Sequence, residues 1–310
     1  MGEMADVSDG DGRAFRVLAI VLNYDSGDAV MACLDSLKAQ THPALDILLI
    51  DNASTDGSRE RAEEHHPDVE VVRNEKNLGF CEANNQGLQR VLDGGYAAGF
   101  LLNDDVVLEP DCCARLAAVL GTDGSVGVAG PKVLFDPERD FIWCAGGVLD
   151  FRQNLNRLRG HWQRDEGFND PENVDYIPGC ALLVRREALE GAGLLEAGYF
   201  AYLEDVEFCY RIRKAGFSVR YVADARVYHQ VSRATGGRYS GVRKYLNARN
   251  SVHFLRRHGT VRGWLGFLLF DVAMLPAALV WQSLHGRGGA VLAKARGIWR
   301  GFRGETGPPR

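Results

Sequence analysis

No CxxC pair and no Cys/His spacing of the metal-binding kind occurs in this chain, so neither a zinc module nor a thiol redox motif is indicated. The seven cysteines (33, 81, 112, 113, 144, 180 and 209) are odd in number and scattered. They read as small, reduced core residues of a cytosolic protein rather than as a disulfide frame. Positive charge is not in excess: 36 Lys and Arg face 41 Asp and Glu, for a net −5. That excludes the basic footprint of a general nucleic-acid binder. GxGxxG and GxxxxGK[ST] are both missing, so neither a dinucleotide fingerprint nor a P-loop is indicated. The first residues, Met1 to Arg13, are acidic and Gly-rich without the apolar stretch of a secretory signal. They are expected to be a disordered lead-in.

What is present is an alternation of short apolar runs and helical patterns. Residues 16–22 form a β-rich run that stops at Asn23-Tyr24-Asp25. Val30, Cys33, Leu34 and Leu37 then recur at helical spacing. Residues 45–50 stop at Asp51-Asn52, and residues 69–72 lead to Asn74 and Asn77. A fourth run, 99–102, breaks at Asn103-Asp104-Asp105. This β-α-β-α-β-α-β series predicts an α/β fold with a mostly parallel sheet covered by helices. Ligands in such folds sit beyond the carboxyl ends of the strands. Four strands ending in polar residues therefore describe one polar rim. Adjacent carboxylates at that rim offer the hard oxygen ligands that Mg²⁺ or Mn²⁺ takes alongside substrate phosphates. A plain polar turn has the same composition.

The middle is harder to read. Strands are expected at 126–131, 176–184, 218–222 and 225–229, and the polar stretch 150–173 is read as a mobile insertion. Glu204-Asp205 opens a helix with Phe208, Cys209 and Ile212 on its apolar face and Gly216 as its stop. The helix over 243–257 carries Arg249, Asn250, Arg256 and Arg257; it reads either as an anion site or as a solvated basic face. Residues 264–281 form the one long apolar run, interrupted by Asp271 and Pro276 and bracketed by Trp264 and Trp281. Residues 285–310 carry +5, leaving −10 on the rest. That pattern suits helices lying in an anionic cytoplasmic membrane surface; a helical cap on the domain or on a second subunit of a homodimer is the alternative.

Taken together, these residues resemble the family 2 glycosyltransferases of the GT-A fold, especially those that add rhamnose or related sugars to bacterial surface polysaccharides. The motifs are residues 20–24, residues 50–58, Asn74 to Phe80 with Asn84-Asn85-Gln86-Gly87, Leu101 to Asp105, Glu204 to Arg211, and Val227 to His229. The resemblance implies a GT-A, Rossmann-like mixed sheet over 15–258, with a nucleotide-binding half (15–110), an acceptor half (111–258) and a helical appendage (259–310). It implies that Asp51 binds the nucleobase, with Asn23 and Tyr24 lining its pocket and Asn77 at the ribose or base edge. The family's DxD motif maps onto Asn103-Asp104-Asp105, with Asn103 and Asp104 towards the nucleotide and Asp105 on a divalent metal. Asn103 departs from the family pattern and is the poorer metal ligand. His229 would complete the metal shell; Asp205, beside Glu204, would be the catalytic base. The expected activity is inverting, metal-dependent transfer from a dTDP- or UDP-sugar to a glycan or lipid-linked acceptor. A sugar nucleotidyltransferase and a non-catalytic sugar-nucleotide binding protein are the alternatives. The loop after the first run lacks the Arg and Lys of the former, and Asp105 with Asp205 argue against the latter.

Overall fold

The computed structural model describes residues 14–150, 155–230 and 240–309; the expected lead-in, Met1 to Arg13, lies outside them. The predicted alternation is realised in order. Strand β1 (Val17–Asn23) leads to α1 (Ala29–Lys38), β2 (Leu45–Asp51), α2 (Ser58–His65), β3 (Glu70–Arg73), α3 (Gly79–Asp93) and β4 (Ala98–Asn103). After β5 (Val106–Leu108) come α4 (Cys112–Thr122), β6 (Val126–Phe135), β7 (Ile142–Cys144), β8 (Gly147–Leu149), β9 (Asn156–Leu158) and β10 (Glu172–Asn173). The second half closes with β11 (Ala181–Arg185), α5 (Arg186–Ala192), α6 (Glu204–Lys214) and β12 (Ser218–His229). Beyond it lie α7 (Gly241–His258), α8 (Val261–Phe267), a π-turn segment (Leu268–Ala273), α9 (Leu275–Leu284) and α10 (Gly288–Phe302).

The ten-stranded sheet runs β10-β12-β6-β11-β4-β1-β2-β3, with β5 on β12 and β7 on β6. β1, β2, β3 and β4 are mutually parallel. β11 is antiparallel to both β4 and β6, and β12 is parallel to β6. β6 and β12 therefore point the same way as β1 to β4, and Asn23, Asp51, Asn103 and His229 end on one rim. The apolar residues divide into two cores, one on each face of the sheet. Val30, Cys33, Leu34 and Leu37 are buried as the helical period predicts, and Gly87 lets α3 lie directly on Ile20 of β1.

Three expectations change. The strand expected at 176–184 begins only at Ala181, because residues 178–181 make a turn in which Ala181 N–H donates to Pro178 O. The two strands expected at 218–222 and 225–229 are one strand, β12, with an irregularity between Val222 and Arg226. The stretch read as a mobile insertion is ordered where it is described: β10 pairs with β12 at the edge of the main sheet, and β9 pairs with β8 in a separate two-stranded sheet. The fully buried Lys132 donates to Asp165 at 2.6 Å and to Asn169 at 2.8 Å. A buried ammonium requires such partners, and the polar composition of the stretch is the complement of that one lysine. Residues 151–154 of it lie outside the described part.

Candidate active site

The site is built outward from the ends of β1 and β2. Asp51 is fully buried, and Asn23 stands beside it, donating from Nδ2 to Asp51 Oδ1 at 2.9 Å and facing Ser58 Oγ at 3.0 Å. Asn23 itself has no exposed surface. It does not line a pocket; it aims the Asp51 carboxylate. Asp51 Oδ2 accepts Ser54 N–H at 3.3 Å and lies 3.9 Å from Arg59 Nη1. A ligand reaches Asp51 only if the turn above it shifts, and Ala53 in that turn sits at φ +67°, a costly conformation for a residue with a Cβ.

Asn77 also serves the scaffold. Its Oδ1 accepts Asn52 Nδ2 at 3.0 Å and Gly79 N–H at 2.8 Å, fixing the turn into α3. Tyr24, by contrast, is 36% exposed on the rim, and its N–H donates to Asp104 Oδ2 at 2.9 Å. Asn103 completes β4, with its N–H on Cys180 O at 3.0 Å. Burial and the neighbouring Asp105 push the Asp104 carboxyl up to about 8, against the Tyr24 N–H.

Asp105 follows on the turn between β4 and β5. β12 holds that turn: His229 pairs with Val106, and Gln230 N–H donates to Asp105 O at 3.0 Å. His229 Nε2 comes within 3.1 Å of Asp105 Oδ1, and Trp143 meets the imidazole edge-on at 4.9 Å. Burial lowers the imidazole, but Cys180 and Asp105 outweigh it and hold His229 up to about 10.

Asp205 joins this cluster through the dipeptide Gly179-Cys180. While Cys180 O accepts from Asn103, Gly179 N–H donates to Asp205 Oδ2 at 3.0 Å. The other carboxylate oxygen of Asp205 accepts Val206 N–H at 2.8 Å. Burial raises Asp205 and these N–H groups oppose it. Glu204, buried with Oε2 unpartnered, is raised further by burial and by Asp205. Burial thus raises both carboxyls, and the two oxygens of Asp205 each accept a backbone N–H.

The segment that delivers this pair is strained. Phe200, Tyr202 and Leu203 have φ of +64°, +70° and +67°. Two residues that the sequence reading placed as anion binders or a solvated face hold it instead. Arg249, 1% exposed, donates to Tyr199 O at 2.9 Å. Asn250, equally buried, donates to Tyr199 O, Ala201 O and Tyr202 O at 3.0, 2.9 and 2.7 Å. On the opposite side Phe80 N–H donates to Phe200 O at 2.6 Å. Neither Gly179-Cys180 nor the Arg249-Asn250 clamp was identified from sequence. The arginine-rich helix drew attention to itself only as charge, and buried carbonyl-binding arginines look the same as exposed ones in a sequence.

With this geometry in place, the comparisons with known proteins decide the family. The model of glycosyl transferase family 2 matches residues 18–193. The chain belongs to that family. It is a glycosyltransferase, which sets aside the nucleotidyltransferase and the passive binder, and its sheet is the GT-A fold. It is 28% identical over 236 residues to an N-acetylglucosaminyl-diphospho-decaprenol L-rhamnosyltransferase of Mycobacterium tuberculosis, covering 70% of this chain and 76% of that one. Among solved structures it resembles the mannosyltransferase PcManGT of Pyrobaculum calidifontis in complex with GDP-Man and Mn²⁺, with a TM-score of 0.54 at 18% identity, over 97% of this chain and 79% of that one. It also resembles GalNAc-T7 with UDP, GalNAc and Mn²⁺, with a TM-score of 0.55 at 20% identity, over 69% of this chain but only 43% of that one.

Two outcomes follow from the site's electrostatics and its clamp. A carboxyl whose folded pKa lies above its unfolded value imposes a penalty that is absent below the unfolded pKa and grows until pH passes the folded pKa. Asp104 therefore costs stability as pH rises from about 4 towards 8. In metal-free buffer, Asp104→Asn should raise the melting temperature relative to the parent chain at pH 8 and not at pH 4; an equal effect at both would contradict the assignment. Asn250→Ala should cost about 1–3 kcal/mol in urea unfolding, because buried carbonyls lose their donor. It should also lower turnover while leaving nucleoside-diphosphate binding within a few-fold of the parent. Parental stability and turnover would show that the clamp holds nothing.

Proposed function

We propose that this glycosyltransferase moves a sugar, with inversion, from a dTDP- or UDP-sugar to a lipid-linked or glycan acceptor in surface polysaccharide synthesis. The observation that carries the reading is the unbroken run of contacts at one sheet rim: Asp51 to Asn23, Tyr24 to Asp104, Asp105 to His229, and Asn103 through Gly179-Cys180 to Asp205. A nucleotide laid across the ends of β2, β1 and β4 has its base end at Asp51 and its diphosphate end at Asp104 and Asp105. The sugar then faces Asp205.

A divalent cation fits the diphosphate end. Asp105 Oδ1 and His229 Nε2 stand together on the rim, 3.1 Å apart, and a carboxylate with an imidazole is a donor set that Mn²⁺ accepts. Among the described residues no group of three or more His, Cys, Asp or Glu side chains is ready to hold an ion, so diphosphate oxygens and water would fill the remaining positions. Such an ion would offset the charge gathering on the departing diphosphate. His229 would have to give up its proton to join the shell, which makes ion binding weaker in acid.

In the transfer itself, Asp205 accepts the proton of the acceptor hydroxyl as that oxygen bonds to the anomeric carbon. The bond from that carbon to the diphosphate breaks on the far side. The leaving group is already a good one, so one carboxylate suffices; a glycosidase needs a second as acid. The acceptor class is carried over from the decaprenol-diphosphate acceptor named for the mycobacterial relative, and a position at the cytoplasmic face of a membrane is part of the same proposal.

Asp205→Asn should keep donor binding and lower turnover about 10²–10⁴-fold, the usual worth of a general base. Asp105→Ala should abolish the Mn²⁺-dependent part of nucleoside-diphosphate binding in calorimetry. Undiminished turnover in the first, or undiminished Mn²⁺ dependence in the second, would remove the role assigned to that residue.

A further inference from the structure

The segment Val261–Leu284 is 24 residues of apolar helix with only 17% of its most apolar window buried. At about 1.5 Å per residue it is long enough to cross a bilayer. Its outward side chains are large: Leu265 is 62% exposed, Leu269 57%, Val280 65% and Trp281 62%, and α9 buries none of its residues. An apolar surface of this extent marks an interaction site. Its one carboxylate does not face outward. Asp271 is 3% exposed and is paired with Lys294 of α10 at 2.6 Å.

That ion pair also fixes where the chain goes next. From the turn at 285–287, α10 runs back and seats on α7. A Cβ on Gly297 would lie 2.2 Å from Tyr245 O, and one on Gly301 would lie 2.8 Å from Arg249 O. At the other end of the run, Gly263 and Phe267 are buried. Both ends of the apolar run are thus held to the same side of the catalytic domain. A helix crossing a bilayer would carry residues 285 onward to the other side, away from α7, so spanning is excluded by the packing.

We infer that α8, the π-turn segment and α9 form a monotopic docking surface that lies in the headgroup region of an anionic bilayer. Charge selects this occupant. Residues 285–310 carry +5 on a protein whose remainder carries −10, so an anionic surface attracts this end and repels the rest. A second copy would cover the apolar face but would bring its own +5 against this one. Exposed Trp281 and Trp299, 62% and 54% exposed, supply the ring type that settles at the headgroup level. The inference deepens the lipid-linked acceptor reading, since a docked enzyme meets such an acceptor in its own plane.

The test is co-sedimentation of the full chain with vesicles of phosphatidylglycerol mixed into phosphatidylcholine, and with phosphatidylcholine alone. The parent chain should pellet with the mixed vesicles and far less with the neutral ones. The double variant Leu269→Asp, Trp281→Asp should lose at least about tenfold in partitioning, because two exposed apolar anchors become charged. Nucleoside-diphosphate binding by calorimetry should be the same in both, which establishes that the variant is folded and separates this surface from the donor site. Light scattering should give a monomer for both without lipid. A parent chain that stays in the supernatant, pellets equally with neutral vesicles, or forms a dimer that the variant dissolves would overturn the inference; lost transfer to the acceptor with vesicle binding intact would instead count against the acceptor reading alone.

Discussion

The dipeptide Gly179-Cys180 joins the two halves of the candidate active site. Its carbonyl on one side accepts from Asn103 at the end of β4, and its N–H on the other donates to Asp205 at the start of α6. Without that pair of hydrogen bonds, the polar rim of β1, β2 and β4 and the carboxylate of α6 would be separate features. The link exists because β11 inserts antiparallel between β4 and β6, which brings the turn before it to the rim where the parallel strands end. Gly179 is also close-packed: a Cβ there would meet the Phe80 ring at 3.0 Å and Asp205 Cβ at 3.6 Å. The same Phe80 donates its N–H to the strained loop that leads into α6.

That loop shows how strain at a functional position is offset by distant packing. Three consecutive or near-consecutive residues with left-handed φ cost free energy that local sequence cannot recover. The compensation comes from α7, where Arg249 and Asn250 bind the loop carbonyls, and from the chain end, where Arg249 also bonds to Gly307 O. The glycines of α10 that let it approach α7 therefore bear indirectly on the position of Glu204 and Asp205. The C-terminal helices are tied to the domain by this route as well as by the Asp271–Lys294 pair.

Much of this was legible in the sequence, and the division has a physical cause. Hydrophobic period and polar strand ends are local, so the first four strands, their helices, and the places of Asp51, Asp104 and Asp105 at strand ends and of Asp205 at a helix start could be read directly. What Asn23 and Asn77 do could not: an amide at a strand end looks the same whether it faces a ligand or a neighbouring carboxylate, and here Asn23 faces Asp51 while Asn77 caps a turn. The polar stretch before β10 and the Arg249-Asn250 pair of α7 were misread for one reason, while Arg256 and Arg257 of the same helix are exposed as a solvated basic face would be. Polar residues suggest solvent, whereas Lys132 and Arg249 are buried and need polar partners drawn from far along the chain. The apolar run is largely exposed, and the return of α10 onto α7 is a long-range contact that the run itself does not encode.

The central claim is that Asp51, Asp105 and Asp205 serve one bound sugar nucleotide. A crystal structure of the chain with dTDP or UDP and Mn²⁺, with the ion located by anomalous scattering, tests it most directly. The account predicts the base against Asp51 after movement of the 53–56 turn, the ion between the diphosphate, Asp105 and His229, and open space before Asp205 for the sugar and its acceptor. Nucleotide or ion bound elsewhere, for example in the polar hollow lined by Arg159, Asp175 and Arg213, with the β1–β2 rim empty, would contradict it.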